Sequence, residues 1–344
     1  MNTVAAIPQL SADEIAALRD QVGSRHAELA RELTWLDYLD ARPTAAAPPA
    51  THVKVVAFNA ERGTCFEGIH KLLSEHPTLR DADVVLLNEV DWGMARSGNR
   101  HVARDLALAL GLGYVFAIEF LELTKGEAAE LDAPGDNTTS LHGNAILSRW
   151  PLANARVLRL PAHCSWAAGS QARIGGRAAL LAEVPTGAGS LTLACTHLEN
   201  RTTPDGRRDQ MRAILAAVDD CERVIIGGDL NTSTLDAGQN DQILAVPQYL
   251  AENPDRLRNP EPYEPLFGDV RAASFLIDEI NAPNIPTNVP LGIQDQAYWL
   301  KLDWLFARGL GPSSVFPPQV IPAEQGSRRV SDHDFVVACF ECGG

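Results

Sequence analysis

Short, mainly apolar runs recur along the chain, and many of them stop at a single polar residue. Apolar runs of this length are typical of strands buried on both faces of a sheet. Segments with helical spacing lie between them, at residues 69–75, 97–110, 203–219 and 242–250. Alternation of buried strands with helices predicts an α/β fold. The predicted strands fall at residues 53–58, 83–88, 144–148, 177–184, 190–196, 223–228, 302–306 and 335–340.

The first 42 residues have a different pattern. Ser11 and Glu14 form a capping-box signature, which predicts the start of a helix. An apolar stripe follows at helical spacing, formed by Leu18, Val22, Leu29, Leu33 and Leu36. We therefore expect an N-terminal helical appendage at residues 1–42, a Pro/Ala linker at 43–51 and a catalytic domain at 52–344. The leucine stripe leaves open a homo-oligomer formed through this helix.

Two polar segments interrupt the pattern of strands and helices. Residues 122–141 contain glycine and show no clear periodicity, and residues 253–290 are rich in proline and asparagine. We expect the first to be a loop near the active face and the second to be a long structured excursion. Segments of this kind would select the substrate.

The run at 223–228 ends in an informative group of residues. Gly227 and Gly228 permit a close approach of the backbone to a neighbour. Asp229 and Asn231 follow, and residues two apart in extended backbone point to the same side. Such a group on its own is more often a turn with an Asx cap. A functional interpretation therefore depends on what lies at the other strand ends.

Other predicted strands also end or begin at polar residues. Asp303 lies between apolar neighbours, where an unpaired carboxylate is costly. His333 also needs a partner, and an Asp–His pair is a common way to fix the imidazole tautomer. Each residue alone has an ordinary explanation, but together they are what a catalytic crevice would produce. The set is Asn59, Glu89, His197, Asp229, Asn231, Asp303, Asp332 and His333.

Composition and charge narrow the classes of function. The chain has 344 residues, of which 45% are hydrophobic, enough for a large core. A formal net charge of −15 disfavours a protein that coats nucleic acid, because such a protein would be basic. No apolar run approaches the ~20 residues of a membrane span, and the start does not resemble a signal peptide. Six scattered cysteines, including a C-x-x-C at 339–342, fit a reducing cytoplasm better than a disulfide framework or a zinc site.

The residue types favour metal-assisted phosphate chemistry. Glu89 and Asp332, with Asn59 nearby, are hard oxygen donors that suit Mg²⁺ or Mn²⁺ and suit zinc poorly. His197 and His333 can carry protons or stabilise a developing oxyanion. The chain has no P-loop, no H-E-x-x-H and no G-x-S-x-G motif.

Seven motifs occur in an order that resembles the endonuclease/exonuclease/phosphatase superfamily, which includes pancreatic deoxyribonuclease and inositol-polyphosphate 5-phosphatases. The resemblance covers residues 53–340 and implies a four-layered α/β sandwich with two central mixed β-sheets. The motifs are Phe58-Asn59, Leu87-Asn88-Glu89, Gly143-Asn144-Ala145-Ile146-Leu147-Ser148, Thr196-His197-Leu198, Gly228-Asp229-Leu230-Asn231, Leu302-Asp303-Trp304 and Ser331-Asp332-His333.

The resemblance also implies which residues hold the metal and the substrate water. Glu89 would be the main ligand of Mg²⁺ or Mn²⁺, supported by Asn59 and Asp332. Asp229 and Asn231 would act at the attacking water and the phosphate.

The remaining roles implied by the resemblance concern protons and substrate contacts. His333, oriented by Asp303, would be the general base or acid, and His197 would stabilise the transition state. Asn144 and Asn200 would contact the substrate. Whether this histidine or the aspartate at the water is the base stays open within the family.

We predict a cytoplasmic, Mg²⁺- or Mn²⁺-dependent phosphoesterase, more specifically a phosphodiesterase acting on a small-molecule or lipid-like substrate. The first alternative is a Mg²⁺-dependent nuclease of the same fold, which would show a basic track along the crevice. The second is a catalytically inactive binding or scaffold module. Such a module is expected to lack a metal ligand or part of the proton-carrying pair, and the sequence retains all of them.

Overall fold

The computed structural model describes residues 7–44, 52–186, 189–232, 253, 255–290 and 295–341. Across these ranges, two large sheets lie face to face and helices cover their outer faces. The strands are β1 (Leu39–Arg42), β2 (His52–Arg62), β3 (Val84–Trp92), β4 (Gly113–Glu122), β5 (Leu141–Ser148), β6 (Ala153–Arg159), β7 (Arg173–Gly175), β8 (Ala178–Thr186), β9 (Gly189–Thr196), β10 (Val224–Asp229), β11 (Asp303–Arg308), β12 (Gly311–Pro312), β13 (Gln319–Ile321), β14 (Glu324–Gln325), β15 (Arg328–Arg329) and β16 (Phe335–Glu341).

The helices alternate with these strands, as the hydrophobic pattern predicted. The predicted loop at 122–141 joins β4 to β5, and the excursion at 253–290 contains a short helix, Leu266–Ala272. No helix in the described ranges is long and apolar enough to cross a membrane. The α-helices are α1 (Ala12–Glu32), α2 (Phe66–Glu75), α3 (Val102–Leu110), α4 (Pro204–Ala217) and α5 (Leu266–Ala272), and short 3₁₀ helices occur at Thr34–Asp37, Ala95–Ser97, Ala128–Asp132, Glu261–Tyr263 and Gln296–Tyr298.

The layers follow from the alternation of side chains along each strand. The larger sheet has the order β1-β4-β5-β3-β2-β16-β12, with β7 paired to β4 and β13 to β16, and the smaller has the order β11-β10-β9-β8-β6. In β2, Val55 and Ala57 face the smaller sheet, while Val56 and Phe58 face the helices. Helices α4 and α5 cover the outer face of the smaller sheet. The result is the four-layered α/β sandwich that the sequence predicted.

The topology brings the polar strand ends to one edge of the sandwich. β2 and β3 are parallel, with Asn59 opposite Asn88. β10 is antiparallel to β11, with Asp229 opposite Asp303, and β16 is antiparallel to β2. An antiparallel strand begins where its neighbour ends, so residues that enter β11 and β16 meet residues that leave β2, β3 and β10.

Some helix boundaries differ from the sequence prediction. α1 begins with the predicted capping box, and α4 begins after Thr203, whose hydroxyl accepts a backbone N–H of the first turn. The helix predicted at 97–110 begins later, at Val102, because Ser97 lies in a 3₁₀ turn and His101 caps the helix. The helix predicted at 242–250 lies outside the described residues.

The N-terminal segment is part of the main core. α1 packs against β7, and Leu29 and Leu36 belong to the core that covers the larger sheet. The segment ends in the strand β1, paired with β4, where the sequence predicted only helix. A strand of four residues is too short to show a clear alternation, so the edge of β4 decides its conformation. Asp40 of β1 accepts hydrogen bonds from His101 Nε2 (2.8 Å) and the Tyr114 hydroxyl.

We expect Leu29→Ala to lower the free energy of unfolding by about 2–5 kcal/mol, because it removes a buried leucine and leaves a cavity. Leu29 is only 3% exposed. Leu108→Ala, at a leucine that is 46% exposed, is the matched control and is expected to change stability far less. Urea unfolding of both variants measures the difference. Equal stabilities would mean that α1 is not part of the cooperative core.

Candidate active site

Asn88, Asn144 and Thr196 form a buried polar layer beneath Asp229, here called the floor of the crevice, which fixes the end of β10. Gly228 has a φ of +138°, and a Cβ there would lie 2.0 Å from the Thr196 carbonyl oxygen, so only glycine fits. The Asp229 backbone N–H donates to Asn88 Oδ1 (2.8 Å). Asn88 Nδ2 in turn donates to Asn144 Oδ1 (2.8 Å) and to the Thr196 carbonyl (3.0 Å). The floor sets the direction in which the Asp229 carboxylate points.

Asn144 lies within this floor and not at the surface of the crevice. It is fully buried, and its Nδ2 donates to the Ala178 carbonyl at 3.0 Å. The predicted substrate contact does not fit this position, because both ends of the amide are used inside the protein. Asn144 is therefore a positioning residue for Asn88. The role of Asn88 could not be predicted from the sequence, because its position beneath Asp229 arises only from the packing of the two sheets.

Asp229 occupies the centre of the crevice. Its Oδ1 accepts the Asn231 backbone N–H (2.9 Å), and its Oδ2 accepts Asn59 Nδ2 (3.1 Å). The Nε2 atoms of His197 and His333 lie 3.3 and 3.7 Å from the same Oδ2. Burial raises the pKa of Asp229 to about 7, although the charge of His333 opposes the shift. A carboxyl group with this pKa exchanges protons readily near neutral pH.

His333 is held by a carboxylate behind it, as predicted. Its Nδ1 lies 2.7 Å from Asp303 Oδ2, which also accepts the Thr287 hydroxyl at 2.7 Å. The Thr287 oxygen accepts the Asp303 backbone N–H at 2.9 Å, so the carboxylate is held in place. Burial alone would lower the pKa of His333, but Asp303, Asp332 and Asp229 raise it well above its usual range. The imidazole is therefore protonated at neutral pH and its Nε2 faces Asp229.

His197 has the opposite electrostatic environment. Arg177 donates to its Nδ1 at 2.8 Å, so the remaining ring proton is on Nε2 and faces Asp229. Burial, followed by the charge of Arg177, lowers the pKa of His197 well below its usual range. The neutral ring is a fixed hydrogen-bond donor in the crevice. Nearby, Asn231 Nδ2 donates to the Leu198 carbonyl at 3.0 Å, which anchors the end of β10 to that of β9.

Three carboxylates form a second group beside these residues. Glu61 Oε2 accepts the Asp332 backbone N–H at 3.1 Å, and Glu89 has a left-handed backbone with a φ of +50°. Burial raises the pKa of Glu61 to about 7, and the charges of Asp332 and Glu89 add to the shift. Burial also raises the pKa of Asp332, and Glu89 contributes. Mutual repulsion of half-buried oxygen donors is what a bound divalent cation would relieve, so these residues fit Mg²⁺ or Mn²⁺.

Glu61 was missed in the sequence analysis. It follows Asn59 at the same two-residue spacing that links Asp229 to Asn231, and that spacing was the available signal. Asn59 Oδ1 accepts the Glu61 backbone N–H at 3.0 Å, which turns the chain towards the crevice. Nothing in the local sequence shows that β2 bulges between Asn59 and Arg62, so the position of Glu61 could not be predicted.

Within the described part of the chain, distances between ligand atoms alone favour a different group for a cation. Asp229, Asp303 and His333 offer ligand atoms that all lie within 4.8 Å of one another. Their hydrogen bonds favour proton handling, because Asp303 Oδ2 is shared between an imidazole and the Thr287 hydroxyl. The carboxylates of Glu61, Glu89 and Asp332 fit the predicted metal better, since no cationic side chain hydrogen-bonds to Glu61 or Glu89 in the described ranges.

Asn200 lies on the far side of Glu89. It lines a cavity of about 200 Å³ together with Glu89 and several arginines. Its Oδ1 is buried with no hydrogen-bond partner in the described part of the chain. The predicted substrate contact fits this position, since the amide is available to a bound molecule.

We expect Glu61 and Asp229 to make the metal-free protein less stable as the pH rises from about 4 to about 7. The folded chain keeps protons on Glu61 and Asp229 up to a pKa of about 7, whereas the unfolded chain releases them near their ordinary values of 4.5 and 3.8. Because the folded state binds more protons at these two groups, their contribution to the free energy of unfolding falls with pH, whereas the lowered pKa of His197 makes a contribution of opposite sign. Urea unfolding in chelator at several pH values measures this slope.

The Glu61→Gln variant is the control for that slope, because it removes one of the two titrating groups. We expect a smaller fall with pH for the variant, and a smaller fall for the unaltered chain when Mg²⁺ is added. Identical slopes for both proteins in chelator would contradict the raised pKa of Glu61.

Comparison with known proteins identifies the family. The model of the endonuclease/exonuclease/phosphatase family matches residues 56–333, which include the whole crevice. The chain belongs to this family. Membership in the endonuclease/exonuclease/phosphatase family supports the prediction that the chain is a phosphoric ester hydrolase. No match was found among curated proteins.

Solved structures show the same fold. An endonuclease/exonuclease/phosphatase protein from Beutenbergia cavernae DSM 12333 is 18% identical, with a TM-score of 0.54 over 86% of this chain and 72% of that chain. The 3′-5′ exonuclease of Neisseria meningitidis is 16% identical, with a TM-score of 0.53 over 83% of this chain and 98% of that chain. The human Nocturnin catalytic domain is 16% identical, with a TM-score of 0.51 over 87% of this chain and 96% of that chain. At these identities the likeness establishes the fold alone.

Proposed function

We propose that this family member is a divalent-metal-dependent phosphodiesterase that hydrolyses a small-molecule or lipid-like phosphoester by attack of water. One observation carries the proposal. A protonated His333 and a neutral His197 both face Asp229, at 3.7 and 3.3 Å, beside a group of half-buried carboxylates. The arrangement combines a proton acceptor, two donors and oxygen ligands for a cation, which together suit hydrolysis of a phosphoester.

Glu61, Glu89 and Asp332 would hold Mg²⁺ or Mn²⁺. When bound, the ion supplies positive charge that polarises the phosphoryl oxygens. Burial tends to raise the pKa of Glu89, but Arg62 and the nearby histidines hold it well below its usual range. Glu89 is therefore ionised at every working pH and is the main ligand in this proposal.

The proton steps fall to the residues around Asp229. Its pKa of about 7 suits a general base that takes a proton from the attacking water. The imidazolium of His333 supports the negative charge that develops on the phosphoryl group, while the Nε2–H of His197 donates a neutral hydrogen bond there. Asp303 acts only through His333, as a positioning residue.

The 3.7 Å separation of His333 Nε2 and Asp229 Oδ2 limits the mechanism further. In an in-line displacement the water and the leaving group lie on opposite sides of phosphorus. Two groups this close lie on the same side, so one cannot activate the water while the other protonates the leaving group. This supports Asp229 as the base and His333 as the charge-stabilising partner.

The electrostatics of the crevice favour a small substrate over a nucleic acid. The chain has a net charge of −15. The arginines next to Glu89 line a single cavity of about 200 Å³, which suits a head group and is far smaller than the path of a duplex. The inactive-scaffold alternative loses support because every predicted proton-handling residue lies in the crevice within hydrogen-bonding or ion-pair distance of another.

A metal-supplemented substrate screen tests the proposal. The substrates are bis-p-nitrophenyl phosphate, p-nitrophenyl phosphate, single-stranded and duplex DNA, and phosphocholine lipids, with chelator as the negative control. We expect hydrolysis of the diester or the lipid to exceed that of the monoester and of DNA. Preferential cleavage of DNA would establish the nuclease alternative, and no hydrolysis of any substrate with either metal would favour the scaffold.

A further inference from the structure

A cavity of about 200 Å³ opens beside Glu89 and is lined mainly by donors. Its wall includes four arginines from three separate parts of the chain, Arg62, Arg173, Arg177 and Arg201. The lining reaches Glu89 but includes none of Asp229, Asp303 and His333. The cavity therefore adjoins the predicted metal site, and Arg177 links its wall to His197.

Several buried polar atoms of this cavity make no hydrogen bond within the described part of the chain, although Arg177 Nε lies 3.8 Å from Glu199 Oε2. Gln171 Nε2, Arg173 Nε and Arg177 Nε make no hydrogen bond to any described residue, and neither does Asn200 Oδ1. Gln171, Arg173 and Arg177 are each at least nine-tenths buried. Buried donors without partners are rare and costly in folded proteins. Three of them on one cavity wall indicate that an acceptor from outside the chain completes the site.

Arg173 is the arginine whose charge is least balanced. Its only ion pair in the described ranges is with Glu122, at 3.5 Å, and Arg96 shares the same carboxylate at 3.3 Å. Burial lowers the pKa of Arg173 to about 10; Glu122 opposes this shift, and Arg177 and other arginines add to it. A bound anion would relieve this repulsion.

Aromatic rings hold the arginine planes and leave their edges to the cavity. The guanidinium of Arg173 lies 4.4 Å from the Trp166 ring centroid and 4.5 Å from that of Phe120. Arg201 lies 4.1 Å from the Trp166 ring. Stacking uses the face of a guanidinium, while its N–H groups point outwards from the edge, where they match the oxygens of a phosphate. Trp166 is fixed in turn by its Nε1–H bond to Glu199 at 2.9 Å.

We propose that this cavity binds a second phosphate group of the substrate, separate from the phosphodiester that is hydrolysed. This inference rests on the proposed function and makes it more specific, since the substrate class becomes a small phosphodiester that carries a further phosphate. The cavity volume suits one tetrahedral oxyanion and a short linker. The orphan donors on Gln171, Arg173 and Arg177 bind its oxygens.

Binding of inorganic phosphate to the full chain, measured by calorimetry in chelator, tests the cavity without catalysis. Without a cation the carboxylates of the catalytic centre repel phosphate, so binding there is disfavoured. We expect one site in the unaltered protein, and a dissociation constant at least about tenfold higher for Arg173→Gln, which loses charged hydrogen bonds. Arg201→Gln, at a more exposed arginine, is the second variant and is expected to weaken binding in the same direction.

Two controls separate the cavity from its surroundings. Arg328→Gln makes the same change of charge at an exposed arginine outside the cavity and is expected to bind phosphate like the unaltered chain. His333→Ala is expected to bind phosphate within about twofold of it. Three results would overturn the proposal: no phosphate binding by the unaltered chain, binding by both cavity variants as tight as by the unaltered chain, or loss of binding in His333→Ala.

A series of substrates tests whether the phosphate belongs to the molecule that is hydrolysed. The series consists of p-nitrophenyl alkyl phosphodiesters that end in a phosphate, with linkers of increasing length, each matched by the hydroxyl-terminated ester. We expect KM at one linker length to be about 10- to 100-fold lower for the phosphate-terminated ester. Arg173→Gln is expected to raise that KM to the value of its hydroxyl-terminated partner. Equal KM values at every length would contradict the assignment to the substrate.

The two experiments also distinguish failure of the cavity from failure of the proposed function. A chain that binds phosphate through Arg173 but hydrolyses no ester would keep the anion site and overturn the phosphodiesterase. A chain that hydrolyses bis-p-nitrophenyl phosphate but shows no phosphate binding would keep the phosphodiesterase and overturn the anion site.

Discussion

Glu89→Gln is expected to lower kcat/KM on a phosphodiester by about 10²- to 10⁴-fold and to weaken binding of Mg²⁺ or Mn²⁺. The substitution removes the charge that holds the cation while it keeps the volume of the side chain. A bound metal contributes several kcal/mol to stabilisation of the transition state, and each 1.36 kcal/mol is a factor of ten in rate. Glu89 is ionised at every working pH, so no change of pH restores the lost charge.

The effect is measured by kinetics on bis-p-nitrophenyl phosphate and by calorimetric titration with Mn²⁺. Glu67→Gln, at an exposed carboxylate at the start of α2, is the matched control and should leave both quantities unchanged. Circular dichroism and urea unfolding establish that the Glu89 variant is folded. Full activity of the unaltered chain in chelator, or an unchanged metal affinity of the variant, would refute the assignment of Glu89.

The second large effect concerns the pair formed by His333 and Asp303. We expect His333→Ala and Asp303→Ala each to slow hydrolysis by about 10²- to 10³-fold, because each removes or misplaces the imidazolium that stabilises the developing negative charge. The double variant should be little slower than the slower single variant, because residues that act as one unit are not additive. Fully multiplicative losses, or a His333→Ala enzyme near the unaltered rate, would contradict this charge-stabilising role of the pair.

One conservative variant and one control pair separate an effect on catalysis from an effect on folding. Asp303→Asn keeps the volume of the buried side chain, and it is expected to lower the pKa of His333, measured by NMR titration, because Asp303 raises it. His163 and Asp209 form an ion pair outside the crevice, at 3.7 Å, and supply a control double-mutant cycle. Alanine variants of that pair should hydrolyse the diester at the unaltered rate.

Much of the fold could be predicted from local patterns. The buried strands at 53–58, 83–88 and 223–228 are confirmed because burial on both faces requires an uninterrupted apolar run. β1 was not predicted, and the start of α3 was placed too early, because a four-residue strand and a helix cap depend on what lies opposite them. Tertiary contacts override such weak local preferences.

The candidate site was predictable in its composition and less so in its geometry. The predicted pair of Asp303 and His333 is present at 2.7 Å, and Asp229 lies at the centre of the crevice. Asn144 was predicted at the substrate, yet it lies in the floor beneath Asp229. Glu61 and the arginine cavity were not predicted, since no local pattern marks a residue that a strand bulge turns inwards.

The sequence by itself determined eight of the strands, the polar residues at their ends and the chemical types of the donors, because each of these depends on residues that are neighbours in the chain. Only the tertiary structure decided which polar groups meet. The Ser331 hydroxyl donates to the Asn59 carbonyl at 2.8 Å across 272 positions of sequence, and Asn59 Nδ2 reaches Asp229 across 170. Contacts at such separations depend on strand order and register, and these are set by packing the two sheets around a common core.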